Sequence, residues 1–380
     1  MTTHSGFGAR TSALTDRFTD VHGTWIPEGF HATGTLDEYR ACRERVAVMD
    51  LSSLQKWEVL GPGALPLLQQ VCTRDVRKLA VGQVSYTALC HETGGMIDDA
   101  TVMRLGEDRF RLVGGDPADG AWLREHAASI GSKVIVKDAT DELHNLAVQG
   151  PRSREVLSAL IFTPGGQPPI ADLRWFRLTL GRVGGPKGIP VIVTRTGYTG
   201  ELGYELFCHP SDAPAVWDAV LEAGDEHGIT PLGFEALDLL RIEAGLVLAA
   251  HEFDDTVDPF EAGIGFAVAL DQPEDFVGKA ALAERAAHPR HRLVGLLLDG
   301  DEVVGHGAHV YVGRQRVGVV TSGCHSPYLR RPIALCRLAT EHATPGWRLE
   351  VGLLDGHRKR IGCEVTTIPF YDPTKARPRA

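Results

Sequence analysis

Trp57-Glu58-Val59-Leu60-Gly61-Pro62-Gly63-Ala64-Leu65, running on into Leu67-Leu68, has a counterpart further along the chain in Asn145-Leu146-Ala147-Val148-Gln149-Gly150-Pro151-Arg152-Ser153, which runs on into Val156-Leu157. Each stretch begins with strand-forming residues, turns at Gly-Pro and continues with apolar residues at helical spacing. A helix tolerates proline in its first turn, where no intrahelical N–H bond is lost. Both therefore read as strand, turn, helix, and their repetition predicts two related α+β halves.

Working outward, Ser211-Asp212 offers an N-cap before a helix over residues 213–223, with Pro214 in the first turn and Gly224 near the end. A second helix is expected over 234–244, closed by Gly245. Leu237, Leu240 and Ala244 share one side of it, while Glu235, Asp238 and Arg241 lie close at three- and four-residue spacing. Strand-like runs occur at 191–195, 204–207, 294–298, 310–312, 317–321, 349–353 and 362–368. From about residue 292 onward the pattern is strand and turn, which predicts a small barrel or sandwich of roughly 90 residues. The polar stretch 284–291, with Pro289, marks the boundary before it. The expected organisation is α+β in three domains: residues 1–144, residues 145–285 and a barrel-like domain over 286–380.

A chain of 380 residues exceeds what one core usually organises, in keeping with several domains. Its 49 acidic against 39 Lys and Arg residues give a formal charge of −10, the opposite of what a phosphate-backbone binder needs, so nucleic acid is not an expected partner. No run approaches the roughly 20 apolar residues of a membrane span, and the first twenty residues hold no apolar signal-like segment. The seven scattered cysteines form no Cys-x-x-Cys, so free thiols in a cytoplasmic protein are expected.

Three segments could carry chemistry. Arg195-Thr196-Gly197-Tyr198-Thr199-Gly200-Glu201-Leu202-Gly203-Tyr204-Glu205 follows a strand, but strand rather than helix comes after it, unlike a dinucleotide loop. Gly278-Lys279-Ala280 lacks the hydroxyl of a phosphate loop. A glycine-rich hairpin with solvated Glu201 and Glu205 is the plain structural reading. In Tyr86-Thr87-Ala88-Leu89-Cys90-His91-Glu92-Thr93-Gly94-Gly95-Met96-Ile97-Asp98-Asp99, Gly94-Gly95 makes a hairpin turn. Adjacent aspartates on a strand face opposite ways, so at most one should point inward and have its acidity altered by burial. The acidic stretch 250–261 does not fit a calcium loop, and the pairs His288/His291 and His306/His309 lack a third ligand, so no metal is expected.

Taken in order, residues 48–52, 94–99, 149–151, 195–205, 240–246, 258–263, 276–279 and 320–327 resemble the aminomethyltransferase family, the T-protein of the glycine cleavage system and its relatives. The resemblance spans almost the whole chain. It implies a three-domain cloverleaf that binds tetrahydrofolate in a central channel and moves a one-carbon unit to or from folate N5. It implies Asp99 as the catalytic carboxylate, with Tyr86 nearby as a further cofactor contact. It implies cofactor contacts from Glu205, whose carboxylate would accept two parallel bonds from the pterin's donor edge, from Tyr198 as an aromatic wall, and from Arg241.

Some positions depart from the T-protein pattern. Ala236-Leu237-Asp238 stands where those proteins read Ala-Arg-Asp, 114–119 is shorter by about three residues, and Phe266 replaces a common tryptophan. A leucine cannot imitate a guanidinium's bidentate grip on an anion. Asp116, Leu237, Phe266 and Trp122 are accordingly the expected lining of the substrate pocket, and a small-molecule methyl donor, as in the folate-dependent demethylase and methyltransferase branch, is favoured over a lipoyl carrier protein. A non-catalytic folate-binding relative is the third reading; the Lys-Gly-Cys-Tyr signature of such relatives is absent around 276–279.

Overall fold

Both copies of the repeated stretch fold as strand, turn and helix in the computed structural model, which describes residues 2–353 and 359–380. Strand Gln55–Leu60 leads into helix Ala64–Val71, and strand His144–Gln149 into helix Ser153–Leu160. The prolines fall just before the N-cap residues Gly63 and Arg152, one step outside the expected first turn. Gly150 is forced: it has φ +124°, and a Cβ there would stand 2.6 Å from the Arg45 carbonyl oxygen.

Each copy belongs to its own sheet. A five-stranded antiparallel sheet runs in the order Val84–Cys90, Met96–Gly106, Arg109–Gly114, Gln55–Leu60, Ile135–Asp138. A seven-stranded sheet runs Ile161–Phe162, Leu178–Val183, Ile189–Thr194, Gly203–Cys208, His144–Gln149, Ala47–Asp50, Thr230–Pro231, with only its last pair parallel. The latter takes strand Ala47–Asp50 from ahead of residue 144 and pairs it with His144–Gln149, so it draws on chain from both sides of the expected 144/145 boundary. The helices expected at 213–223 and 234–244 are Ala213–Gly224 and Phe234–Glu243.

Side-chain alternation gives each sheet two faces with different duties. On the seven-stranded sheet, Val48, Leu146, Val148, Val193, Tyr204 and Leu206 pack with Val156, Leu157, Val216 and Trp217 of the covering helices. On the five-stranded sheet, Trp57, Val59, Ala100, Val102 and Leu112 pack with Leu67, Leu68 and Leu123. Burying each such side chain contributes about 1.5–3 kcal/mol, which holds the helices on these faces. The other two faces turn toward one another and share a cluster of Val84, Met103, Val113, Leu178 and Phe207. Residues beside that cluster are thereby enclosed between sheets.

The C-terminal region is a closed six-stranded barrel in the order His291–Leu298, Arg331–Ala339, Gln315–Ser326, His309–Val312, Arg348–Gly352, Arg360–Thr366. The α+β architecture with a terminal barrel is the one expected. The stretch 284–291 is only half a linker, because helix Lys279–Ala287 runs through its first residues. Ala280, Ala281 and Ala283 favour helix, and Leu282 is fully buried against the core.

Gly94-Gly95 makes the expected turn, with Gly94 at φ +85°. Gly95 is packed against 255: a Cβ would lie 1.7 Å from the Asp255 carbonyl oxygen, whereas one at Gly131 would meet nothing within 4 Å. Gly95→Ala should cost about 1–3 kcal/mol and lower Tm, with Gly131→Ala within about 0.5 kcal/mol of the parent. Equal Tm values for the two variants in a thermal melt would contradict this packing.

Candidate active site

The inner face of the seven-stranded sheet carries Glu205. Its register sets it opposite Ala147 on one side and Thr194 on the other, so Asn145 and Ala147 share its face. Thr196 Oγ1 donates to Glu205 Oε1 at 2.7 Å, and Asn145 Nδ2 donates to Oε2 at 3.3 Å. Burial pushes the pKa of this carboxyl up, while the two donors and the Lys56 ammonium oppose that. Lys56 itself is fully buried, donates to the Ser52 carbonyl at 2.8 Å, and is brought down to about 7 by burial. Asn145 is fully buried too, and its Oδ1 accepts nothing from the protein.

The segment before Glu205 is a tight connection between strands, as its glycines suggested, yet they serve a neighbour. A Cβ at Gly197 or Gly203 would fall 2.0 or 2.2 Å from Gln149 Oε1. The Gln149 side chain bonds the carbonyls of Thr196 and Tyr204 and accepts from Thr199 Oγ1. Glu201 is not solvated: it pairs with buried Arg43 at 3.2 Å.

Asp99 lies on the inner face of the other sheet, opposite Ala88, and Tyr86 stands two residues along on the same face. The Tyr86 hydroxyl donates to Asp99 Oδ2 at 2.7 Å. Burial first, and the charge of Asp98 second, push the Asp99 carboxyl up to about 7, against the stabilising Tyr86 bond. Asp98 points the opposite way but is also buried, since helix Asp119–Ala127 covers that face; the expectation that at most one of the two turns inward is corrected accordingly.

A narrow cavity of about 10 Å³, room for roughly one water, is lined by Ala47, Met49, Leu51, Ala147, Tyr198 and Leu237 among others. Tyr198 and Leu237 are thus brought together, with the Tyr198 hydroxyl anchored on the Val247 carbonyl at 2.5 Å. Phe266 is 62% exposed and stacks on Tyr86 with ring centroids 5.9 Å apart, and Lys375 Nζ lies 5.6 Å from its ring. The structure does not bring the remaining expected residues to this cavity. Trp122 sits on the helix covering the far face of the five-stranded sheet, tilted against His126. Asp116 uses its carboxylate to accept the Ala118 N–H at 2.8 Å.

Arg241 is a scaffold residue in this geometry. It is buried, and its guanidinium bonds Asp238 at 2.7 Å, Glu252 at 2.7 Å, Ser322 at 2.8 Å and the Leu246 carbonyl at 3.5 Å. The acidic stretch around 252–258 is spent likewise, with Glu252 on Arg241 and Asp258 on the N–H groups of Phe260 and Glu261. Among the described residues, no group of three or more His, Cys, Asp or Glu is arranged to hold a metal ion.

Sequence reasoning missed Asn145, Thr196 and Lys56. Asn145 was visible as a polar residue beside His144 at the head of a largely apolar strand; the others become neighbours of Glu205 only through strand register and sheet packing. Arg241→Met should strand the buried Glu252 carboxylate and cost about 3–5 kcal/mol. A large drop in Tm is expected, whereas Tyr86→Phe should leave Tm nearly unchanged; an Arg241→Met protein as stable as the parent would remove the scaffold assignment.

Comparison with known proteins agrees with this architecture. Residues 7–272 match the family model of the GCVT N-terminal domain, and residues 291–372 match that of the glycine cleavage T-protein C-terminal barrel domain. The chain is 51% identical to the trimethylamine-oxide aldolase of Ruegeria pomeroyi across 100% of this chain, spanning 48% of that protein's length. It is 38% identical to the aminomethyltransferase of Halalkalibacterium halodurans, covering 93% of each. The crystal structure of the glycine cleavage system aminomethyltransferase T from Bartonella henselae superposes with a TM-score of 0.85 at 28% identity, over 97% of this chain and 98% of that one. With both family models matched, and an aminomethyltransferase aligned along nearly its whole length, the chain belongs to the glycine cleavage T-protein family.

Proposed function

We propose that this chain binds tetrahydrofolate between its two sheets and moves a one-carbon unit from a small-molecule donor to folate N5. The observation carrying the proposal is the donor deficit around Glu205. A carboxylate has about four acceptor positions; Thr196 and Asn145 fill two, and the neighbouring Asn145 Oδ1 is buried without any donor. A flat ligand edge with several parallel N–H groups meets that need, and a reduced pterin has such an edge. Tetrahydrofolate supplies a nucleophilic N5 amine that takes up the one-carbon unit.

The chain's own residues have distinct tasks in this reading. Glu205, held by Thr196 and Asn145, orients the ring; Tyr198 and Leu237 exclude water from its side. Asp99, kept near neutral acidity by burial and aligned by Tyr86, takes or returns the proton at the reacting amine. The 51% identity to a trimethylamine-oxide aldolase over the whole chain favours a methylated amine or amine oxide as the donor, with demethylase or methyltransferase chemistry. The likeness to aminomethyltransferases supports a second reading, aminomethyl transfer from a lipoyl carrier protein. Ammonia release from an aminomethylated carrier, with no reaction of methylated amines, would favour that reading. All seven cysteines are buried free thiols, the state a reducing compartment maintains, and we place the activity in the cytoplasm.

Calorimetric titration with tetrahydrofolate should register binding, and Glu205→Gln should weaken it by about 2–3 kcal/mol. Asp99→Asn should retain binding and lose turnover by orders of magnitude. Because burial raises the Asp99 pKa, its ionised form fills as pH climbs past about 7, so kcat/KM should rise through that pH and level off above it. A parent enzyme with no heat of folate binding, or an Asp99→Asn variant with parental turnover, would sink the assignment.

A further inference from the structure

Behind Asp99 lies a second acidic arrangement that the proposed chemistry leaves unused. Asp98 turns to the opposite face of strand Met96–Gly106 and is buried there with Asp119, the first residue of helix Asp119–Ala127. The two carboxyls meet at Gly114, where a Cβ would stand 2.7 Å from Asp98 Oδ2 and 2.8 Å from Asp119 Oδ2. Only glycine fits between them. Asp98 Oδ2 accepts the Gly115 N–H at 2.6 Å and the Asp116 N–H at 3.1 Å.

Asp119 has no such support. Both its carboxyl oxygens are buried, and neither meets a protein N–H or O–H donor. The charged groups near it are Asp98 on the same face, Asp99 on the far face of the same strand and Asp116 from the connecting loop, all of its own sign. Arg124, on the same helix, is instead held over the Trp57 ring at 5.5 Å. An ionised carboxylate in that position would lack hydrogen bonds and countercharge together, which folded proteins avoid. A proton resolves both deficits, because a protonated Asp119 donates to Asp98 and leaves the pair with one charge.

We propose that Asp98 and Asp119 form a proton-sharing carboxyl pair that positions the 114–119 segment and the strand bearing Asp99. The carboxyl–carboxylate contact closes a small bracket: Asp98 grips the loop through two N–H groups, and Asp119 grips Asp98 from the helix. Burial, then the Asp98 charge, push the Asp119 carboxyl up to about 9, so the bracket is intact at neutral pH. Its positioning role rests on the assignment of Asp99 above; the shared proton does not.

The test uses the full ligand-free chain and infrared difference spectroscopy at pH 8, where the carbonyl stretch of a protonated carboxylic acid is separable from carboxylate bands. In an Asp99→Asn background, which removes the other strongly shifted group, that band should be present and should vanish on adding Asp119→Asn. Asp98→Asn should also abolish it, because the asparagine amide then donates to an ionised Asp119, and this variant serves if Asp119→Asn does not fold. A band absent from Asp99→Asn, or unaffected by either further change, overturns the pair.

Two pH profiles test the positioning. A raised pKa stabilises the fold below the unfolded value and loses that contribution as pH rises through about 9. The parent's Tm should therefore fall toward pH 9 more steeply than that of Asp119→Asn. An alkaline limb of kcat/KM near the same pH should be present in the parent and missing in Asp119→Asn, whose amide donates at every pH. Identical profiles would overturn the positioning role, and a positive infrared result without folate turnover would locate the fault in the functional reading instead.

Discussion

The site is organised by the shortage of water between two facing sheets. Buried carboxylates must find donors within the protein, lose their charge, or wait for a ligand, and this molecule uses all three solutions. Glu243 is satisfied by Arg43 and Tyr39, and Glu201 pairs with Arg43 through one oxygen. Asp119 has only a proton available to it. Glu205 is half prepared, held by Thr196 and Asn145 while an unpaired amide oxygen stands beside it. The last of these leaves positions for donors from outside, which is why the proposed binding site is placed at Glu205 rather than at the more crowded acidic clusters.

That same shortage joins the three parts of the chain. Glu243 accepts from Tyr39 at 2.5 Å, Arg43 at 3.0 Å and, across from the barrel, Ser326 at 2.5 Å and the Tyr328 N–H at 3.1 Å. Ser322 of the same barrel strand links Arg241 and Glu252. Such networks add little net stability over apolar packing, but a shifted barrel would leave buried charges unpaired at a cost of several kcal/mol. The barrel therefore docks in one register, and the helix carrying Leu237 is fixed from behind by contacts that never reach the cavity.

Much of the fold was legible because its signals are local. The repeated strand, Gly-Pro turn and helix, the hairpin at Gly94-Gly95 and the terminal run of strands follow from spacing and turn chemistry over a few residues. Alternation along one strand likewise separates Asp99 from Asp98. It could not show that both faces are covered, since the cover over Asp98 is a helix some twenty residues on. The partners of Glu205 were hidden for a related reason: Asn145 and Thr196 reach it through two strand registers. Arg241 shows the converse difficulty. An arginine one helical turn from Leu237 reads equally well as a ligand contact or as the inner half of a buried ion pair, and only the positions of Glu252 and Ser322 distinguish the two.

Leu237 bears on what the cavity can accept. The wall it shares with Ala47, Met49, Leu51, Ala147, Gln149, Tyr198, Thr199 and Leu232 contains no charged side chain, and its polar members are occupied, Tyr198 on Val247 and Thr199 on Gln149. An anionic group placed there would lose its hydration without gaining a countercharge, whereas methyl groups would lose little and gain dispersion contacts. An arginine in place of Leu237 would reverse that preference, since a guanidinium on the same turn offers a paired anion contact. Under the proposed function, selectivity between donors would thus turn on one side chain of a helix whose other face is held by ion pairs. On the same reading, chemistry at Asp99 can stay common while the accepted donor changes, because the carboxylate is carried by strand Met96–Gly106 and the leucine by helix Phe234–Glu243, each supported by its own contacts.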